Sequence, residues 1–408
     1  MKKLGLVLLV SLILSAGVLV CAGTAQEVPL TPEQDAWLQA AQLGPYQPET
    51  EDWDAIYEAA KGEGTVVFYS VTSMFPLIIE DFEKAYPGID VEVYDMSGNE
   101  QVEKLTREQG AGIFDADVLL LSNATTVIME LLPQHLLWNY VPATIFGADM
   151  DHLVNTSDVI DAQYLSPLVN SFESKVVFYN YVTYPLLLLR PSPLTSLWDL
   201  TLPEWRQRVQ MKDPMLAQET MNFIQMVVKY SDAMAAAYKD QFGEDLVLSP
   251  GIENAGYEWI KRLVANDIVL TNSDGTAAKA VGAPGQENPP VTGSVASSKL
   301  RYNADGHGTN LAIAWDLEPM AGITKSNFAL IANRSPHPNA AKLLIRVLMG
   351  ASSAGDGFGM WDVPGVWSPR TDYTAPIGSL DALQESTWFI DTSWVYQYGT
   401  AVQDFWLS

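Results

Sequence analysis

Apolar and polar positions along the first third of the chain change repeatedly between the period of a strand and that of a helix. Strands are predicted at 66–69, 91–94 and 118–121, and helices at 76–85 and 100–110. The helical spacing of 76–85 stops just before Pro87 and Gly88, and 118–121 is apolar throughout, as in a strand buried on both faces. Such alternation predicts an α/β sheet covered by helices.

Small polar side chains follow the first and third predicted strands. Ser70, Thr72 and Ser73 come after the first strand, and Ser122 and Asn123 come after the third. Ligands of open α/β sheets bind beyond the carboxyl ends of the strands, so both clusters are predicted to contact a ligand. Serine, threonine and asparagine also favour helix N-caps, and for each residue taken alone that structural role is the competing explanation.

Charge excludes some partners without identifying the ligand. The 408-residue chain has 23 basic and 49 acidic residues, a net charge of −26, which argues against nucleic acid or an anionic membrane surface as a partner. A pocket can hold the opposite sign from the surface, so an anionic ligand stays open. With 48% hydrophobic residues the chain has enough apolar side chains for a well-packed core.

The N-terminus has the pattern of an export signal. Lys2 and Lys3 precede an apolar run at 4–20, and 1–25 is predicted to be a signal peptide. Cleavage after Ala25 and lipidation at Cys21, the only cysteine, are both open; lipidation would tether the exported protein to the outer face of the membrane. Residues 26–52, which are polar and contain four prolines, are predicted to form an N-terminal arm.

Short motifs along most of the chain resemble a known family. They are WDAI at 53–56, GEGTVVFYS at 62–70, FEKAYPGIDV at 82–91, DADVL at 115–119, SKVVFYN at 174–180, PEWRQRV at 203–209, GYEWIKRL at 256–263 and PNAAKLL at 338–344. Together they resemble the extracellular solute-binding proteins of ABC importers, in the branch that contains the ferric-ion binders. Each motif is weak, and the combination carries the resemblance.

The resemblance implies a two-lobed α/β fold, with a mixed sheet flanked by helices in each lobe and hinge crossovers between them. Lobe 1 is expected at 53–172 plus 322–362, and lobe 2 at 173–321 plus 363–408. A small-molecule solute would bind in the cleft, and closure of the lobes would present it to an ABC permease in the membrane. A monomer is expected. A sensor subunit for a membrane receptor is an alternative.

The resemblance also locates the positions at which ferric binders place their iron ligands. Those proteins use a histidine, a glutamate and two adjacent tyrosines, and the matching positions here are Ser73, Asn123, Ser297 and Ser298. Neutral hydroxyl and amide groups do not supply the anionic oxygens that Fe(III) needs. No metal and no cofactor are therefore predicted, with ferric iron in another geometry and a polyamine as alternatives.

The predicted solute is small, polar and anionic, with a phosphate or carboxylate group. Arg370 is the main anion-binding candidate, because the resemblance places it in a loop that returns to the cleft; Lys212, Lys299 and Arg301 are further cations near strand ends. Thr220, at the start of a helix, is a predicted donor to the ligand. Trp315, followed by two carboxylates, is a predicted aromatic contact, for which a structural role in the core is the alternative.

Catalytic patterns are weak. The four histidines are scattered without metal-ligand spacing, and the chain has no serine elbow, phosphate loop or cysteine nucleophile outside the signal region. Asp115 and Asp117 share a spacing that suits an acid/base pair, but a solvated turn before the third strand is the favoured interpretation. The protein is predicted not to be an enzyme, and an exported enzyme is the least favoured alternative.

Overall fold

A computed structural model of the chain describes residues 28–141, 144–145, 148–149, 169–183, 193–350, 359–369, 383 and 385–408. The predicted signal peptide with Cys21, and Arg370, lie outside these residues.

The helices are α1 Pro32–Ala41, α2 Trp53–Glu63, α3 Phe75–Ala85, α4 Gly98–Gly110, α5 Ala124–Thr126, α6 Gln218–Lys229, α7 Ser231–Phe242, α8 Ala255–Ala265, α9 Asp274–Gly282, α10 Pro338–Leu348 and α11 Thr392–Leu407. Short 3₁₀ helices lie at Gly44–Tyr46, Leu197–Thr201, Pro203–Trp205, Ser297–Asn303 and Gly359–Trp361, and a π-helical turn lies at Val127–Leu131.

The strands are β1 Thr65–Ser70, β2 Asp90–Asp95, β3 Val118–Leu121, β4 Leu137–Trp138, β5 Thr144–Ile145, β6 Ala148–Asp149, β7 Val169–Val176, β8 Phe178–Asn180, β9 Val209–Lys212, β10 Val269–Thr271, β11 Val291–Ala296, β12 Leu311–Ile313, β13 Gly322–Ala332, β14 Val366–Trp367 and β15 Thr387–Phe389. The predicted strands and helices of the first third are confirmed as β1, α3, β2, α4 and β3.

One mixed sheet connects both lobes. Its main path within the described residues is β10-β9-β11-β7-β13-β3-β1-β2. β1, β2 and β3 pair in parallel in the first lobe, and β9, β10 and β11 pair in parallel in the second. The long strands β7 and β13 pair antiparallel between these groups, as the predicted crossovers require. The predicted mixed α/β class is confirmed.

Alternate side chains of the first-lobe strands enter two different cores. Val118 and Leu120 of β3 pack with Phe82 of α3 on one face, whereas Leu119 and Leu121 pack with a second cluster on the other. The period of two along a strand produces this division, because successive side chains point to opposite faces. The apolar run 118–121 is therefore buried on both sides, as predicted.

The second lobe has its own packed core. Trp198, Phe223 and Trp259 belong to a buried cluster that joins the 3₁₀ helix Leu197–Thr201, α6 and α8. A smaller cluster around Ala277 and Val281 packs α9 against β8, β11 and β12. Both lobes thus have a helix-covered sheet whose strand ends are fixed by packing.

The segment after the predicted signal peptide packs against the first lobe. Thr31 and Gln34 form a capping box at the start of α1, and Leu38, Ala41 and Leu43 join the core beneath α2 and α10. Trp37 Nε1 donates to the carbonyl of Ser335 at 3.0 Å. None of the described helices is both long enough and apolar enough to cross a bilayer.

The carboxylate of Asp117 is buried, so the expectation of a solvated turn is wrong for this residue. It accepts hydrogen bonds from the Val67 N–H at 2.7 Å, the Ser335 hydroxyl at 2.6 Å and the His337 N–H at 3.0 Å. His337 Nδ1 also lies 2.8 Å from Asp117 Oδ2. This hydrogen bond raises the pKa of His337, and it outweighs burial, which acts in the opposite direction. Asp117 thus joins β1 and β3 to the loop that begins α10.

Candidate ligand-binding site

Two sets of parallel strands, β1 and β2 in the first lobe and β9, β10 and β11 in the second, end beside one cavity of about 200 Å³ between the lobes. Their last residues are Ser70, Asp95, Lys212, Thr271 and Ala296. Asp95, Lys212 and Ala296 line the cavity directly, and the loops after Ser70 and Thr271 line it through 71–74 and 273–275. The carboxyl edge of an open α/β sheet is the place where such folds bind ligands.

The loop after β1 forms the first-lobe wall and is held by its own hydroxyl groups. Ser70 Oγ accepts from the Thr72 N–H at 3.3 Å, and Thr72 Oγ1 accepts from the Met74 N–H at 3.2 Å. These short-range bonds fix the turn that leads into α3. Ser73, at the tip of the turn, is left exposed on the cavity.

The 3₁₀ helix after β11 forms the opposite wall. Ser297 is buried and anchors this helix, because its Oγ accepts from the Ser174 N–H at 2.9 Å and donates to the Gly365 carbonyl. Ser298, Lys299 and Arg301 then line the cavity. Arg301 Nη2 donates to Ser73 Oγ at 3.2 Å, so a hydrogen bond joins the walls contributed by the two lobes.

The floor of the cavity comes from the two long crossover strands. Lys325 of β13 lies directly opposite Glu173 of β7 in the strand register, and Lys325 Nζ is 3.3 Å from Glu173 Oε2. The Lys325 ammonium also donates to Asn327 Oδ1 at 3.1 Å. Burial alone would lower the pKa of Lys325, but Glu173 and the other nearby carboxylates raise it, so the ammonium stays charged.

A second buried ion pair supports the wall beside α9. Lys175 Nζ donates to both carboxylate oxygens of Asp274 at 2.9 Å, and the Lys175 side chain is fully buried. Burial favours the neutral acid, yet Lys175 and Lys212 hold the pKa of Asp274 below its ordinary value. Because this ion pair is formed within the protein, it leaves little free charge for a ligand.

Two further lysines that line the cavity have no such partner. Lys212 and Lys299 form no ion pair or hydrogen bond within the part of the chain that the structure describes. Burial lowers the pKa of Lys299 to about 8, and the neighbouring positive charge of Arg301 adds to the effect. Lys299 Nζ lies 5.5 Å from the centroid of the Tyr302 ring, a cation–π contact that supplies no counter-anion.

Charged side chains of both signs line the cavity. The basic ones are Lys212, Lys299, Arg301 and Lys325, and the acidic ones are Asp95, Glu173, Glu219 and Asp274. The lining has four groups of each sign, and each sign has a further partner behind it, Lys175 at Asp274 and Asp305 at Arg301. The cavity is thus balanced in charge, in a chain whose net charge is −26.

Solved structures of binding proteins share this architecture. Iron-bound HitA from Pseudomonas aeruginosa superposes with a TM-score of 0.61 at 16% identity, over 84% of this chain and 98% of HitA. A ferric binding protein from Campylobacter jejuni gives 0.57 at 14% identity, over 84% and 98%. The substrate binding protein of an ABC transporter from Agrobacterium tumefaciens gives 0.54 at 15% identity, over 84% and 94%.

The chain has the two-lobed fold of the periplasmic solute-binding proteins. No protein-family model matches the sequence, and no curated protein matches it either. The structural likeness extends over nearly the whole length of each solved protein. Residues of both lobes line the cavity, which therefore lies in the cleft between them.

The structure brings three of the predicted ligand-binding residues to the cavity. Thr72 and Ser73 line it from the first lobe, and Ser298 lines it from the second. Ser70 and Ser297 are buried directly behind these walls, where their hydroxyl groups hold the loops in place. Their contribution to a ligand site is through the position of the loops.

Three other predicted residues lie outside the lining of the cavity. Ser122, Asn123 and Thr220 are buried, and Ser122 Oγ, Asn123 Oδ1 and Thr220 Oγ1 have no hydrogen-bond partner among the described residues. Asn123 Nδ2 donates to Asn99 Oδ1 at 2.8 Å. The Asn123 side chain also packs against Gly98, and a Cβ added to Gly98 would lie 1.8 Å from Asn123 Oδ1. Their role as ligand contacts stays a prediction.

Trp315 lies away from the lining of the cavity. Its side chain is 37% exposed, and its ring meets that of Trp367 edge to face with centroids 6.2 Å apart. Arg370, the main anion-binding candidate, belongs to the residues that the structure does not describe. Both assignments stay predictions.

Sequence reasoning did not single out Glu173, Asp274 and Lys325, which the structure places in the site. Glu173 and Lys325 lie in strands that are buried along their whole described length. A charged residue in a buried strand is rare unless it is paired, and this was the signal that the sequence offered.

Proposed function

We propose that this protein is the solute-binding component of an ABC importer and that it captures a small anionic solute outside the cytoplasmic membrane. One observation supports the proposal that the solute is anionic: Lys212 and Lys299 line the interlobe cavity without an ion-pair partner in the described residues. A phosphate or carboxylate group is the chemical partner that such ammonium groups lack. Arg301 and the hydroxyl groups of Thr72, Ser73 and Ser298 supply further donors.

Capture would be linked to closure of the lobes. Arg301 on the second lobe bonds Ser73 on the first, and Gln218 Nε2 donates to Thr126 Oγ1 at 3.0 Å. A solute that contacts both walls binds the closed form better than the open form, and so it shifts the population toward closure. A permease partner that recognises the closed form would then receive the solute.

Ferric iron is the second candidate, because HitA and the Campylobacter jejuni protein are described as iron-bound and ferric binding. The charges of this cavity favour an anion over a metal ion. Glu173 and Asp274 are already neutralised by lysines, and no group of three or more histidine, cysteine, aspartate or glutamate side chains suited to a metal occurs in the described ranges. Fe(III) would have to compete with the ammonium group of Lys299 for space.

Thermal unfolding with isothermal titration calorimetry tests the proposal on the mature protein. The panel contains inorganic phosphate, phosphate monoesters, carboxylates, polyamines and Fe(III). A ligand present at 100 times its dissociation constant adds about 2.7 kcal/mol to the free energy of unfolding. An anion is expected to stabilise the wild type and to lose about tenfold or more in affinity in Lys299→Met, since a charge-assisted hydrogen bond is lost.

The matched control is Lys84→Met, which removes an exposed lysine of α3 outside the cavity and should leave the affinity unchanged. If Fe(III) stabilises the protein and no anion of the panel does, the ligand is the metal ion and the proposed anionic solute is wrong. Stabilisation by no member of the panel would refute the proposed ligand class.

A further inference from the structure

Glu219 is a buried carboxylate on the wall of the cavity. It belongs to the first turn of α6, and its side chain is 8% exposed. Among the described residues it accepts no hydrogen bond and has no cation within ion-pair distance, in contrast to Glu173 and Asp274. Its carboxylate oxygens therefore face the cavity without a hydrogen-bond donor among the described residues.

The surroundings keep Glu219 ionised but do not satisfy its oxygens. Burial would raise its pKa, yet Lys175, Lys212 and Lys325 together hold the pKa below the ordinary value. Lys175 and Lys325 direct their ammonium groups to Asp274 and Glu173 instead. The dipole of α6 also stabilises a negative charge at its start without donating a bond to the side chain.

A buried charged group is normally hydrogen-bonded, because leaving a donor or acceptor unpaired costs its full desolvation. Glu219 opens onto the same cavity as Lys299, which lacks an anion. The two groups are complementary to opposite ends of one small molecule. An anion without a donor would satisfy Lys299 and leave Glu219 unpaired.

We infer that the solute carries a hydrogen-bond donor, an amine or a hydroxyl, beside its anionic group, and that Glu219 accepts this bond and selects such solutes. The inference rests on the proposed function, since it assumes that an anion occupies the cavity. It makes Glu219 a specificity-determining residue rather than a general contributor to affinity.

The test uses three phosphate monoesters of similar size: 2-aminoethyl phosphate, 2-hydroxyethyl phosphate and ethyl phosphate. A parallel series of β-alanine, 3-hydroxypropionate and propionate covers carboxylates. Calorimetry measures each affinity for the wild type. At least one donor-bearing member is expected to bind about tenfold or more tightly than the member without a donor, because Glu219 is then paired.

Two substitutions assign the selectivity to Glu219. Glu219→Leu removes the acceptor and should reduce the preference for a donor to less than about threefold, whereas Glu219→Gln removes only the charge and keeps an acceptor oxygen. Glu83→Leu is the matched control, because it makes the same change at an exposed glutamate of α3 outside the cavity and should preserve the preference.

Each outcome decides the matter. A preference for the amine or for the hydroxyl that disappears in Glu219→Leu supports the inference and identifies the donor. Equal affinities within each series in the wild type overturn the inference and leave the proposed anion binding intact. A preference that survives in Glu219→Leu also overturns it. If no anion of either series binds, the proposed function fails as well.

Discussion

Anion binding in the cavity should weaken as the pH rises from 7 to 9, because it needs the charged form of Lys299. Burial and Arg301 lower the pKa of this ammonium group to about 8 in the unliganded protein. A bound phosphate would stabilise the charged form and raise that pKa. Binding is therefore expected to be coupled to proton uptake.

The magnitude follows from the pKa of about 8. Lys299 is about nine-tenths charged at pH 7 and about one-tenth charged at pH 9, so the dissociation constant should rise by about tenfold over this interval. At pH 8 each bound anion should take up about half a proton. A phosphate monoester stays a dianion throughout, since its second pKa is about 6.

Calorimetry in buffers of different ionisation enthalpy measures both the affinity and the proton uptake. Lys299→Arg is the decisive variant, because a guanidinium stays charged at pH 9 and should abolish most of the pH dependence. Thermal stability would not isolate this effect, because burial also lowers the pKa of Lys342 in the first lobe to about 8. Both lysines would then change the stability over the same pH range. An affinity that is flat from pH 7 to 9 in the wild type, or equally steep in Lys299→Arg, refutes the reasoning.

Two predictions concern the buried Asp117 site. Asp117→Asn should lower the free energy of unfolding by about 3 kcal/mol in urea denaturation, because several donors lose a charged acceptor; an effect below about 1 kcal/mol would contradict this. The pKa of His337 is raised above its unfolded value, so its stabilisation is complete below pH about 6.5 and is lost as the pH rises through the folded pKa. His337→Gln should flatten this decline in a pH series, and an unchanged slope would exclude His337 as its source.

The sequence predicted the elements of the first lobe closely because their signals are local. β1, β2 and β3 follow the β-rich runs, and α3 ends just before Pro87. Parallel pairing of β1 with β3 places the loops after Ser70 and Leu121 at one edge of the sheet, as expected from strands joined by helices. Thr72 and Ser73 could therefore be associated with a cleft before any contact was known, whereas Ser298 was associated with it only through the resemblance to the ferric binders.

The ionic floor of the site was harder to predict, because its pairs join residues far apart in the chain. Lys175 meets Asp274, and Glu173 meets Lys325 across the β7 and β13 pair. Neither pair has a local pattern such as the i,i+4 spacing of a helix. Asp117 was misjudged for the same reason, since Ser335 and His337 come from a loop more than 200 residues away.

The position of these charges separates a fixed part of the site from a movable part. Glu173 and Lys325 are opposite each other on the two crossover strands that form the floor of the cavity. Their ion pair therefore does not depend on the angle between the lobes. The bonds from Arg301 to Ser73 and from Gln218 to Thr126 do span the cleft, and opening must break them. Each is a single hydrogen bond, worth about 1–3 kcal/mol at most. The C-terminal helix α11, which packs on α6 of the second lobe, also contacts α5 and the π-helical turn of the first. A solute that contacts both walls would add to these contacts in the closed form and shift the population toward closure, as the proposed function needs.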